Sequence, residues 1–455
     1  MAIFDRQLWL YEWRLWAHSR TNYLCVLLLG LLCCAALVNG IYQQQRQNLH
    51  LDQVTAQHQQ QQRLLMQHYP DNSDAGYIAY YTQHLTQHRP PALGFLATGS
   101  RDVQAYALRI RLLGLQGQLH ETQNQNPEYL ILGQFDFSFV LIYLTPLMIL
   151  FLSHDLVNQE RQARRLGLLL SLHSSSRVWW YKISLNIVAI NLALLLPLLI
   201  ALIWQSRPVT EILTLQVVSF TYIVFWSLVC SLLALAVHQA QSSIMLGLAS
   251  YLCLLLIFPA ILELAVNRAQ PLTHSFAMSL QQRQLIHQAW DQPRQDVMRA
   301  FIQHHPEWRD YATVQGRFHW KWYYAMHELS DMGIAKELHA YQQSLNHRLQ
   351  IQQSLAFVLP GLAWQQSLSA LTQTELQTHL SYLQKVSEYH QELREFFYPY
   401  FFKDQAFKQA DQYKIPQFKT FQAQTQWRVD YLLSYLFICL VLIILTENRL
   451  RRIKL

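Results

Sequence analysis

The apolar residues of this chain gather in long unbroken blocks, and polar stretches of very unequal length separate them. A helix of about 20 apolar residues crosses a bilayer, so a block of that length predicts a transmembrane span. Six blocks qualify: residues 23–42, 134–153, three within 183–264 (Ile183–Trp204, Ile212–Val237 and Ile244–Leu264), and 429–446. Two large polar segments, 43–133 and 265–428, follow the first and fifth spans. The pattern predicts an all-α membrane protein with both segments mainly helical.

Finer patterns predict local elements. Residues 1–22 read as an interfacial amphipathic helix, because Trp9, Trp13 and Trp16 share one face beside Arg6, Arg14 and Arg20. The first span continues as helix through Gln43–His68 until Tyr69-Pro70-Asp71-Asn72 stops it, and a second helix is expected over Asp74–His88. Farther on, Leu376, Leu380, Leu383, Val386, Leu393 and Phe397 mark one helical face, opened by a capping box at Thr372-x-x-Glu375. The dense aromatics around Trp320–Tyr324 and Phe396–Phe402 read as the core of an exposed domain, with a contact surface for an apolar substrate and insertion into the outer leaflet as the alternatives. The first apolar run is a permanent anchor, since no small-x-small cleavage site follows it.

Charge orients this layout. Arg161, Arg164, Arg165, Arg177 and Lys182 lie in the loop 154–182, and Arg449, Arg451, Arg452 and Lys454 close the chain. The positive-inside rule places both groups, and therefore both termini, in the cytoplasm. The two large segments then fall outside. Only 14% of residues are charged and 52% are hydrophobic, against about 25% charged in soluble domains. The net charge of +7 clusters beside spans, which points to anionic lipid and not to nucleic acid. All six cysteines (Cys25, Cys33, Cys34, Cys230, Cys253, Cys439) lie in spans, which leaves no disulfide framework for the polar segments.

Candidate chemistry is sparse. No glycine precedes a lysine, so there is no phosphate-cradling loop, and neither H-E-x-x-H nor G-x-S-x-G occurs. The chain is expected not to be an enzyme and to carry no cofactor of its own. His84 and His88 stand four apart, the spacing of a zinc or copper pair on a helix. Histidine and glutamine are so common there that no metal site is assigned. Glu263 and Asn191, polar residues in apolar spans, are candidates for lining a substrate route.

Three stretches carry a family resemblance: Leu93–Asp102 with Asn126-Pro127; Gly133-x-Phe135-Asp136 through Tyr143-Leu144-x-Pro146-Leu147 to Glu160; and Leu359-Pro360 through Ala370–Leu376. The chain resembles an ABC-2-type transporter permease of the large-ectodomain group, domain of unknown function 3526. The family pattern continues after Glu160 with Gly-Thr-Leu, where this chain has Arg164-Arg165-Leu166. It also has Ala-Gly-Thr-Asp where this chain has Thr372-Gln373-Thr374-Glu375. The resemblance implies a bacterial inner-membrane protein with periplasmic segments. It pairs with an identical or paralogous permease and with two copies of a cytoplasmic ATP-binding subunit, which hold the ATP and magnesium. Glu160, Arg161, Arg164, Arg165, Leu168 and Leu169 become the candidate ATPase contact. The expected function is export or extraction of an unidentified substrate. The alternatives are an ATP-driven mechanical device acting on a periplasmic partner, and a zinc or copper exporter or sensor using the histidine-rich segments.

Overall fold

The computed structural model describes residues 6–68, 74–99, 101, 104–121, 135–158, 160, 164, 175–237, 239–269, 271, 274–421, 423 and 427–451. In chain order they form α1 (Arg6–His18), α2 (Arg20–His68), α3 (Ala75–Tyr81), strands β1 (His84–Gln87) and β2 (Ala107–Ile110), α4 (Leu115–Glu121), α5 (Phe137–Ser153), α6 (Ser175–Trp204), α7 (Val209–Ala236) and α8 (Ala240–Ala269). There follow α9 (His274–Asp291), α10 (Arg294–His304), α11 (Trp320–Gly333), α12 (Ala335–Ala356), α13 (Pro360–Leu371), α14 (Leu376–Phe402), α15 (Gln409–Gln412) and α16 (Val429–Leu450). Helix dominates, and the strands make one small antiparallel pair.

Five helices (α2, α6, α7, α8 and α16) are long and apolar enough to cross a membrane. The chain is a multi-pass, helical membrane protein. Apolar α5 is shorter; its 17 residues reach only about 26 Å at 1.5 Å per residue. It is enclosed by the others, with Phe137, Val140, Leu141 and Ile149 fully buried. Helix α2 has 49 residues, about 74 Å of helix, so its glutamine-rich half projects well past the apolar half.

Three apolar clusters organise the molecule. The first joins the spans to α13, through Ala363, Trp364, Leu368 and Leu371, and to the loop Leu93–Ala97. Part of the second polar segment therefore shares a core with the membrane helices. The second cluster builds a polar domain from both polar segments: α3, β2 and α4 pack against α10, α11 and α14, and β1 joins through its pairing with β2. Arg394 anchors it, 2.8 Å from Asp331, whose carboxylate accepts from the Leu115 and Gln116 amides at 2.8 and 3.2 Å. A charge buried this deeply is tolerated because Asp331 and Glu328 answer it. The third cluster gathers Leu8, Leu156, Val157, Val178, Trp179 and Leu450, so α1 and the last turn of α16 share one packing cluster.

Two local expectations are corrected. The expected Asp74–His88 helix stops at Tyr81, and His84–Gln87 is a strand. His84, Thr86 and His88 alternate inward with period two, a buried face hidden by its polar identity. The expected capping box at Thr372 does not form; Glu375 makes no side-chain cap bond. Gln373, at φ +53, separates two helices, and Thr372 ends the first of them, its hydroxyl 2.8 Å from the Leu368 carbonyl. The aromatic-core reading agrees with the structure: Trp322, Tyr324, Phe397, Phe401 and Phe402 are buried in the polar domain. On α14 the inner face also includes His379, Tyr382, Tyr389, His390 and Arg394, which a purely apolar reading passes over.

These histidines make stability depend on pH. Burial pushes the imidazoles of His84 and His88 down to about 3, and those of His327 and His379 down to about 4. All four are neutral when folded, so no stability is lost above their ordinary value near 6.5. As pH falls below it, the unfolded chain takes up protons that the folded domain refuses, and stability drops. His305 runs the opposite way: Glu328 and Glu307 raise it, so its contribution is present at low pH and fades as pH rises. The four outweigh the one. At pH near 5 each lowered histidine costs about 2 kcal/mol. Unfolding followed by tryptophan fluorescence in lipid nanodiscs should show a lower midpoint near pH 5 than near pH 7.5; an equal or higher midpoint would contradict the neutral burial of these rings.

Candidate functional site

Helix α5 and its two ends bring together most of the residues that the sequence singles out. At its first turn Asp136 is buried, 3% exposed, and works as the N-cap. Its Oδ1 accepts from the Phe139 amide at 2.9 Å and the Ser138 hydroxyl at 2.6 Å. Its Oδ2 accepts from the Thr98 amide at 2.9 Å. One carboxylate thus starts α5 and ties it to the Leu93–Thr98 loop. The Ser138 amide returns a bond to the Leu96 carbonyl at 3.0 Å. Asn39 of α2 donates to the Phe135 carbonyl at 3.0 Å.

Close approach holds the other walls. A Cβ at Gly40 would overlap the Phe95 carbonyl, so only glycine lets α2 lie against this loop. Gly99 adopts φ +56 and presses on Thr374, while the Thr372 hydroxyl lies 3.3 Å from the Ala97 carbonyl. Described parts of all three stretches that carry the resemblance therefore meet at one junction beside α2.

Within α5 the backbone widens into a π turn at Val140–Leu144. Pro146 has no N–H, so the Ile142 carbonyl loses its usual donor four residues on. The Tyr222 hydroxyl of α7 donates to that carbonyl at 2.8 Å, and the Tyr251 hydroxyl of α8 donates to the Tyr143 carbonyl at 3.1 Å. Helix α8 has a matching π turn at Cys253–Ile257. Gly361, at the start of α13, sits against Leu255 and Ile142, so α13 bears on both widened turns. Trp364 of α13 donates to the Val218 carbonyl at 2.9 Å. Such π turns store local irregularity that neighbouring side chains must satisfy.

Beyond the C-terminal end of α5, Glu160 is buried, 2% exposed, and pairs with Lys182 of α6 at 2.6 Å. Lys182 also lies 3.8 Å from Glu12 of α1 and over the Trp179 ring at 5.3 Å. Trp16 of α1 donates to Asn186 of α6 at 2.8 Å, and Asn186 donates to the Leu152 carbonyl at 3.0 Å. The tryptophan stripe is accordingly half packed: Trp16 is bonded inward, while Trp13 stacks on Trp9 and Trp16 and is 40% exposed.

Of the expected partner-contact residues, Glu160 faces inward, and Arg164 is exposed in a turn at φ +56. Arg161, Arg165, Leu168 and Leu169, with Gly133, lie outside the described residues. Asn191 accepts from Gln216 at 3.0 Å, and Glu263 pairs with Arg348 at 2.9 Å, so both route candidates are engaged in links between helices. His84 and His88 sit about 13 Å apart along extended chain at 3.3 Å per residue, which denies them a shared ion. No group of three or more metal-ligating side chains occurs among the described residues. Tyr222 and Tyr251 are site residues beyond the sequence expectations, and a hydroxyl-bearing aromatic in an apolar span is their available signal; Trp364 and the pairing of Lys182 carry none.

The class of the molecule is thus a multi-pass helical membrane protein in which a polar domain is tied to one short enclosed helix. In the comparisons, residues 275–420 match the family profile "Domain of unknown function (DUF3526)", which covers roughly a third of the chain. No curated protein and no solved structure matches it.

Replacing Asp136 tests this junction. Asp136→Ala removes the cap and strands the Thr98 amide, a loss of about 2–4 kcal/mol. The same nanodisc unfolding assay should show that loss, together with faster protease cleavage around residues 93–99. A variant as stable and as resistant as the parent would remove Asp136 from this role.

Proposed function

We propose that this chain is the membrane subunit of an ATP-driven machine of the ABC-2 permease kind, using ATP hydrolysed by a separate cytoplasmic subunit. The observation that carries this reading is a coincidence of backbone and pattern. Where the family pattern has glycine, this chain has Arg164 and Gln373, and both adopt left-handed conformations, at φ +56 and +53. Such a conformation costs a side-chain-bearing residue about 1–2 kcal/mol and costs glycine nothing. At both positions where the family pattern has glycine, the backbone thus has the conformation that glycine favours, which supports the reading.

Other features support the same reading. Leu8 and Leu450 share one cluster, which calls for an even number of crossings, and α5 as a short sixth span supplies it. Both termini and the 154–182 loop then lie in the cytoplasm of a bacterial inner membrane, with 43–133 and 265–428 in the periplasm. A partner moves a membrane protein only through contacts that differ between its states. In this reading the stretch from Glu160 to Leu169 meets the ATPase: Glu160 fastens the base of the loop to α6 and Arg164 faces outward. The full assembly is two permeases, identical or paralogous, with two ATP-binding subunits that carry ATP and magnesium; this chain performs no catalysis.

One observation favours a second reading, a mechanical device that acts on a periplasmic partner. Asn191 and Glu263 are taken up by links between helices, while α13 couples the polar domain directly to the widened turns of α5 and α8. Force would pass along that connection without cargo crossing.

Affinity purification from native membranes tests the first reading. An ATP-binding subunit should co-purify with the parent chain, and Arg164→Glu with Arg165→Glu should reduce both its recovery and its ATP hydrolysis severalfold. Absence of any ATP-binding partner would overturn the assignment, and undiminished assembly of the double variant would overturn the contact. Vesicles that hydrolyse ATP yet move no cargo would favour the mechanical device.

A further inference from the structure

A groove of about 590 Å³ runs between the projecting half of α2, helix α3, strand β1 and the segment following α15. That volume is within the range of roughly 300–1,000 Å³ usual for small-ligand sites. Its lining among the described residues contains no lysine, arginine, aspartate or glutamate, and seven of its residues are glutamines. In a molecule whose polar domain is otherwise rich in ion pairs, this neutral, amide-lined wall is distinctive.

Three acceptor atoms on this wall are buried without a hydrogen-bond partner among the described residues: His84 Nε2, Gln87 Oε1 and Gln412 Oε1. His84 is 2% exposed, and the role of its ring follows from its neighbours. The Tyr389 hydroxyl donates to the Pro416 carbonyl at 2.9 Å. At 3.4 Å from His84 Nδ1 that oxygen can then only accept, so Nδ1 carries the proton and Nε2 presents a bare lone pair. Buried acceptors are nearly always satisfied. Among the described residues no donor serves these three acceptors.

The nature of the donor follows from what the wall lacks. A phosphate, a carboxylate or an ammonium ion buried here would have no counter-charge. An acyl chain would leave the amides unsatisfied. Hydroxyl groups both donate and accept, so they serve the orphaned acceptors and also the N–H groups of the glutamine amides. Aromatic surface for the C–H faces of a sugar is present at Tyr81, which is half exposed, and at Phe418. We propose that this groove binds a neutral oligosaccharide, held by His84 Nε2 and glutamine amides against Tyr81 and Phe418. This inference does not rest on the permease reading, since the groove lies wholly in the polar domain and binding needs no ATP.

The test is calorimetric titration of the full-length chain in lipid nanodiscs, with no glycoside detergent whose sugar head could compete. Maltotriose, cellotriose and chitotriose are the probes, and a glutamine–serine tripeptide blocked at both ends is the competitor. At least one trisaccharide should bind saturably. Gln62→Ala and Tyr81→Ala, both on the accessible rim, should weaken it about tenfold, the loss of one good contact. His84→Leu should abolish binding, and His84→Gln, which returns an acceptor near the Nε2 position, should restore it. If His84→Leu fails to fold, the two rim variants decide. The proposal is overturned if no trisaccharide saturates, if the blocked peptide binds more tightly than every sugar, or if both rim variants bind like the parent.

Discussion

The tie between α5 and the Leu93–Thr98 loop depends on how one carboxylate is used. Asp136 must be buried to cap α5, and a buried carboxylate is costly unless its lone pairs are filled. Three donors fill them: the Phe139 amide, the Ser138 hydroxyl and the Thr98 amide. The first two belong to the helix being started. The third belongs to a loop that Gly40 and Gly99 hold against α2 and against the turn before α14. The same electrostatic requirement that begins a helix therefore fixes the position of a loop. A neutral cap such as serine could start α5, but with one oxygen it could not also hold the loop.

The rest of α5 follows from that fixed start. Its Pro146 frees a carbonyl in an apolar setting, where an unsatisfied group costs most. Tyr222 answers it, and Tyr251 answers its neighbour. Helix α13 then packs over both π turns with Gly361 at the contact. A short helix that lacks a continuous α-pattern is held by side chains of other helices, and less by its own ladder. The cost of that irregularity is met by Tyr222 and Tyr251, which tie α5 to α7 and α8.

The spans were legible because a bilayer imposes a length and an apolar composition that few other structures share. Five of the six blocks are helices of spanning length, and the sixth, α5, is apolar but short. What the sequence concealed was burial by polar residues. His84, Thr86 and His88 make the inner face of a strand, and His379, His390 and Arg394 part of the inner face of α14. Both are invisible to a pattern that counts only apolar side chains. The capping-box expectation failed for a related reason: Thr372 and Glu375 have the right spacing, but the left-handed Gln373 between them assigns each to a different helix. At the site, Asp136 and Pro146 were legible as pattern, through resemblance. Their tasks were not, because the groups they serve, Thr98 and Tyr222, lie far away along the chain.

The C-terminal end of α5 poses the remaining question of how an outward-facing loop can act on a buried helix. Glu160 does not reach outward; it is fastened to Lys182, and Lys182 is shared with Glu12. The Trp179 ring lies over the same ammonium and adds to its stabilisation. The arrangement is thus a clasp among the approach to α6, the helix α1 and the end of the α5 segment, and it shields its charges from solvent. In the proposed reading, a partner pulling on Arg164 would load this clasp first, because Glu160 lies only four residues away. Separating such a buried pair leaves an uncompensated charge and is costly, and the clasp lies between the exposed Arg164 turn and the helix whose far end meets the Leu93–Thr98 loop.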